Sequence, residues 1–214
     1  MTTKPAFEDV QSLLLLTPNG PAVRHVVLQI PLAWRQYAAV RLLRMLRYPP
    51  RGASFGPRAV ARGLLCSVGF SYAGLEALRL PAEYLRVFHA LAPAFAAGAP
   101  ARRVAVGDSA ANQPPASTAW PELTPEQAHV LVSFHGDQDS ASRAARQLSV
   151  LWRRSLRTRH SSPFVHVFEG EHLAPPTGQK GRWAHFGMRD DVSDVTIRPL
   201  GDTDMKDCAP DLRK

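Results

Sequence analysis

At 214 residues the chain has room for one domain of ordinary size, and 45% hydrophobic with 21% charged residues supports a packed core and excludes wholesale disorder. No apolar run approaches ~20 residues, so no transmembrane helix is expected, and Leu13-Leu14-Leu15-Leu16 follows acidic Glu8 and Asp9 rather than a basic segment, so the expectation is a cytoplasmic protein without a secretory leader. The net charge of +8, carried by 22 Arg against 4 Lys, raises nucleic-acid binding as a reading, but the charges are dispersed and no helix-turn-helix or aromatic RNA-binding pattern accompanies them, so arginines covering solvated helix faces are the simpler account.

The first element in chain order is a β-branched run over Arg24 to Ile30, which predicts a strand. Pro31 then opens a helix, a position that tolerates its missing N–H. Ala39, Leu42, Leu43 and Leu46 give that helix an apolar face, and Tyr48-Pro49-Pro50 stops it. A second strand is expected over Gly63 to Phe70, with Leu64, Cys66, Val68 and Phe70 on one side and Leu65, Ser67 and Gly69 on the other. A short helix over Tyr72 to Leu78 and a longer one from Pro81 to about Ala97 follow. Gly98 to Pro125 reads as a long Ala/Pro/Ser-rich connection.

A second arm repeats the plan. His129 to His135 alternates Val130, Val132 and Phe134 against Leu131 and Ser133, and predicts a strand. Asp137 or Asp139 can cap the next helix. Ala141, Ala144, Ala145, Leu148, Leu151 and Trp152 share one helical face, and a strand over Phe164 to Phe168 closes the arm. Two strand–helix–strand arms joined by helices predict an α+β, ferredoxin-like domain over residues 1–198: a mainly antiparallel sheet with helices on one face. Residues 199–214 read as a polar tail.

Few residues carry chemistry by themselves. Cys66 sits in an apolar run and Cys208 in the tail; their separation makes no metal site, and a reducing compartment argues against a disulfide. His129, His135 and His166 fall on strands and His25 starts one, where a histidine is more often a satisfied structural residue than a ligand. There is no phosphate-cradling glycine loop and no nucleophile elbow. The stretch His185-Phe186-Gly187-Met188-Arg189-Asp190-Asp191-Val192-Ser193 mixes aromatic, glycine and charge. Gly187 allows a tight turn, and a carboxylate beside an apolar surface can shuttle a proton. Asp190-Asp191 reads equally as a cap or turn.

The order of several segments supplies more. Phe186-Gly187-Met188-Arg189-Asp190 with Val192-Ser193 resembles the Gly-x-x-Asp-Gly loop of dye-decolorising (DyP-type) haem peroxidases, which is typically preceded by Phe and followed by Ile-Ser. Asp9-Val10-Gln11-Ser12 resembles the family's Asp-x-Gln-Gly opening. Val68 to Leu75 with Leu78 and Leu80-Pro81 is similar to its Val-Gly-Phe-Thr-Tyr-x-Gly-Leu strand and helix, and Gly98 to Arg102 with Gly107-Asp108 to its Gly-Met-x-x-Arg … Leu-Gly-Asp segment. His129 to His135 fits its next strand. The resemblance covers about residues 9 to 193, the family's N-terminal half.

That resemblance implies half of a dimeric α+β barrel arrangement and a b-type haem in the complete assembly. It implies Asp190 as the acid–base carboxylate for hydrogen peroxide, with Gly187, Met188, Arg189 and Asp191 as the loop positions beside the cofactor. The family's proximal His and distal Arg belong to its C-terminal half. The expectation is therefore a peroxidase-like protein, oxidising an organic electron donor once a homodimeric or second chain completes it. Haem-free use as a dimeric scaffold or partner-binding module is the alternative. Asp191 stands where the family has Gly, and Ser12 replaces the opening Gly. Two adjacent carboxylates facing one pocket would oppose each other's ionisation.

Overall fold

A computed structural model describes residues 20–35, 37–46, 64–102, 105, 128–156 and 164–171. Its elements are β1 (Ala22–Leu28), α1 (Ala38–Met45), β2 (Leu64–Phe70), α2 (Tyr72–Ala77), α3 (Ala82–Leu91), α4 (Pro93–Arg102), β3 (Val130–Gly136), α5 (Gln138–Leu156) and β4 (Val165–Glu171). The four strands form one sheet in the order β2-β3-β1-β4, with every neighbouring pair antiparallel. Each arm inserts one strand of the other arm between its own two, so β1 and β2 run parallel on either side of β3. This is the expected ferredoxin-like α+β plan.

Strict alternation assigns the strand residues to two faces. Val26 opposite Val132, Leu28 opposite Val130 and Cys66 opposite Phe134 fix the register of the first face. Val26, Leu28, Cys66, Val68, Val130, Val132, Phe134 and Val165 pack there with Ala38 and Leu42 of α1, Ala77 of α2, and Ala141, Ala144, Ala145, Leu148 and Trp152 of α5. The small residues of α5 let it lie close to the sheet. Trp152 is fully buried, and its Nε1–H donates to the Gln29 carbonyl at 3.1 Å. Ser149 is also buried, its hydroxyl donating back to the Ala145 carbonyl at 2.8 Å. Leu151, expected on this face, is 37% exposed; Ser149 and Trp152 point inward around it.

Local chemistry explains the element ends. Asp137 rather than Asp139 caps α5: its carboxylate accepts from the Ser140 N–H at 2.8 Å, and that bond holds its pKa below the ordinary value. Ser71 caps α2 by accepting from Gly74 N–H at 2.9 Å. The α2 C-terminus closes with Leu80 N–H on Leu75 O and Arg79 N–H on Glu76 O, with Arg79 left-handed at φ 57°. A Cβ on Gly74 would collide with the His129 carbonyl, so glycine is required for α2 to reach the start of β3.

Three segments depart from the sequence expectation. Pro31 opens only a 3-10 turn, Leu32–Trp34, and the α-helix begins at Ala38. The helix expected from Pro81 to Ala97 is broken at Ala92, which leaves helical geometry (φ −135°, ψ 60°) because it precedes Pro93. Helical structure then continues into the expected connection, as far as Arg102, across a kink at Gly98 with φ 74°. Among the described residues no helix is long and apolar enough to cross a membrane.

Candidate functional site

The loop that the sequence singles out, with Asp190, Gly187, Met188, Arg189 and Asp191, lies outside the described residues, as do His172, His185 and Cys208. The remaining sequence candidates fall on the sheet. Cys66 is free and buried in the core, and burial pushes its thiol up to about 12, so it is a packing residue and not a thiolate. His129 is buried at the entrance to β3. Its Nδ1 accepts from Ile30 N–H at 2.9 Å, its N–H donates to Leu28 O, and its carbonyl accepts from Ser71 N–H. It therefore joins β1, β3 and α2, and its role is structural.

The other histidines converge. Alternation puts His25, His135 and His166 on the face opposite the core. There the register makes three rows across β2, β3, β1 and β4: Leu65, His135, Val23, Gly170; then Ser67, Ser133, His25, Phe168; then Gly69, Leu131, Val27, His166. The buried apolar helix residues all belong to the other face. His25 Nδ1 and Ser133 Oγ are 2.7 Å apart, and the His25 ring meets His135 edge-on at 6.1 Å between centroids. His166 packs on Phe168 at 4.3 Å and stacks with Phe164 at 6.2 Å. Partial burial holds the His25 pKa below the ordinary value. Among the described residues of this face the three histidines are the only ionisable groups.

The chemistry of this face is limited. Ser133 and His25 have the contact of a nucleophile–base pair, but Ser133 is only 5% exposed and none of the described residues of the face is a carboxylate that could orient the imidazole. Among the described residues no three His, Cys, Asp or Glu side chains are placed to hold a metal ion. The described residues of the face make a polar-and-aromatic surface.

On the core face one residue contradicts the reading of arginine as a solvated helix residue. Arg24 is 1% exposed. Its Nε donates to Ser142 Oγ at 3.1 Å and its Nη1 to the carbonyls of Val23 (2.9 Å) and Gly170 (3.3 Å), while Nη2 lies 3.6 Å from the exposed Glu169 carboxylate. It ties β1, β4 and α5 together. Sequence position as the first polar residue of a β-branched run did not reveal this, because Ser142 and Gly170 lie over 100 residues away.

No family model matches the sequence, and no curated protein matches it. Solved structures do. The fold superposes on a crystal structure of DyP with TM-score 0.64 at 20% identity, over 92% of this chain and 40% of that one. The DyP-type peroxidase from Anabaena sp. gives 0.64 at 17% identity, over 87% and 39%. A variant of the dye-decolorizing peroxidase from Pleurotus ostreatus gives 0.64 at 17%, over 88% and 40%. At these identities the likeness establishes a shared fold. The chain spans about two-fifths of the length of these structures.

Proposed function

We propose that this chain is the N-terminal, ferredoxin-like part of a DyP-type haem peroxidase system. The observation that carries the reading is the superposition of about nine-tenths of the chain on such peroxidases, together with motif resemblances in the same order along the sequence. The counterpart of the remaining three-fifths of those structures would come from a further segment or a second chain. It would hold a b-type haem, which supplies the oxidising power for an organic donor when bound. That same partner would pack on the face that carries His25, Ser133 and Phe168, which lies opposite the core helices.

Within this reading Asp190 acts through its carboxylate, taking a proton from one oxygen of hydrogen peroxide and returning it to the other. Gly187 would shape its loop, and Met188, Arg189 and Asp191 are the loop positions that would adjoin the cofactor. Asp191 is the residue that decides competence, because its charge raises the cost of ionising Asp190 if both face one pocket. The test is absorption and turnover, with the chain alone and in its complete assembly. The expected result is a haem band and peroxide-dependent dye oxidation in the assembly only. Asp190→Asn should keep the band and lower turnover by about 100-fold or more. An assembly with no haem band ends the proposal.

A haem-free scaffold is the second reading, favoured by Asp191 standing where the peroxidase loop has Gly. It expects a colourless protein whose association is indifferent to Asp190→Asn.

A further inference from the structure

The helical layer over the sheet carries charge of nearly one sign. Helices α1 and α5 pack on each other and on the same face of the sheet. Together they hold Arg41, Arg44, Arg143, Arg146, Arg153 and Arg154 against the single acid Asp139. Asp139 and the cap Asp137 both sit at the N-terminal end of α5, where they complement the helix dipole. Beyond that first turn α5 has no carboxylate. Its period brings Arg143, Arg146, Val150, Arg153 and Arg154 into one outward stripe, and all five are exposed, as is Arg44 of α1. Arg153 is held at the rim of the sheet, with Nη2 donating to the Val165 carbonyl at 3.0 Å, and the Arg41 guanidinium lies 4.3 Å over the Trp34 ring. Among the described residues no carboxylate pairs with Arg44, Arg143, Arg146 or Arg154. Like charges one turn apart on a helix repel, and an external anion relieves that repulsion.

We propose that the outward face of α5, with Arg44 of the neighbouring α1, binds the phosphate backbone of duplex DNA without reading its sequence. The charge is complementary, and the guanidinium fork suits phosphate oxygens. Arg143 and Arg154 are eleven residues apart, about 16 Å along the helix, which matches the axial length of about five phosphates of one strand. The stripe carries no aromatic side chain on which unpaired bases could stack, so a single strand is a poorer match. An acidic protein is poorer too, because protein interfaces rely on buried aromatic anchors. A lipid surface would need an outward apolar face, and the apolar face of α5 is spent on the sheet. The net charge of +8 attracts the duplex from a distance, and the stripe gives that attraction a place to act. This surface lies on the opposite side of the sheet from His25, Ser133 and Phe168 and does not depend on haem chemistry.

The experiment is fluorescence anisotropy of a labelled DNA duplex of arbitrary sequence, about two helical turns long, titrated with the full chain. Binding should be micromolar at low salt and weaken by about 40- to 150-fold between 50 and 200 mM salt, as three to four phosphate contacts require. The triple variant Arg143→Gln/Arg146→Gln/Arg154→Gln should weaken binding by about tenfold or more and lower the salt slope by roughly one per arginine, with an unchanged far-UV circular dichroism spectrum. A charge-matched control, Arg79→Gln/Arg86→Gln/Arg102→Gln, removes three exposed arginines elsewhere and should change affinity by less than about threefold. No binding at low salt, affinity indifferent to salt, or equal losses in the two triple variants overturns the proposal. So does displacement of the duplex by polyglutamate as effectively as by unlabelled duplex at equal charge, which would make the stripe a surface for an acidic polypeptide.

Discussion

The two faces of the sheet come from the same four strands in one register, and they differ in what completes them. On one side Val26, Leu28, Val130, Val132 and Phe134 meet α1 and α5, and the chain supplies its own cover. On the other side the alternate residues include His25, Ser133, His135, His166 and Phe168, and the helices of the core are all elsewhere. The first face is fixed by apolar transfer, which is strong and non-directional. The second rests on pairwise contacts: a histidine–serine hydrogen bond and ring packing. A single alternating pattern thus writes an apolar packed surface and a polar-and-aromatic one back to back.

The largest expected effect tests that division directly. Trp152→Ala should cost about 3–5 kcal/mol, because a fully buried indole leaves a cavity and an unpaired Gln29 carbonyl. Phe168→Ala, on the half-buried reverse face, should cost about 1 kcal/mol in the chain alone. Chemical denaturation of both variants measures the two costs. Equal losses would show that the reverse face is as much core as the other.

The covered face was legible in the sequence because its signals are local. The spacing of Ala141, Ala144, Ala145, Leu148 and Trp152 and the alternation of Val130, Val132 and Phe134 each lie within one element, and both point to the side now found buried. The exceptions have local causes that periodicity does not weigh, such as the extra break that Pro93 imposes at Ala92. The reverse face was not legible. His25 and Ser133 are 108 residues apart, and only the β1–β3 register brings them within 2.7 Å. The parity of His25, His135 and His166 against the core residues was readable, but the pairing that makes them neighbours was not. The Asp190 loop was legible only through resemblance, and it lies outside the described residues.

Arg24 is a charged group on the apolar side. Arg24→Ala should lower stability by about 2–3 kcal/mol, from lost packing and lost hydrogen bonds to Ser142, Val23 and Gly170. Arg24→Met keeps most of the volume and removes the cost of desolvating the guanidinium, so it should lie within about 1 kcal/mol of the parent. Urea midpoints of the two variants separate volume from charge. If Met is as damaging as Ala, the guanidinium itself, and not its bulk, holds β1, β4 and α5 together.

The smallest effect belongs to His25 and depends on pH. Burial depresses its folded-state pKa below the ordinary value near 6.5. The unfolded chain therefore binds the proton more readily than the folded one. The contribution of His25 is present in full above the unfolded value and is lost as pH falls through the lower folded value. His25→Gln keeps a neutral polar group beside Ser133 but cannot titrate, so its melting temperature should fall less steeply on acidification below about pH 6.5. An unchanged slope would move the pH response away from His25 to other groups. A partner packed on the face would desolvate His25 further and deepen the same depression. The complete assembly should then come apart in acid before the chain alone unfolds, and thermal melts of the two forms across the same pH range measure the difference.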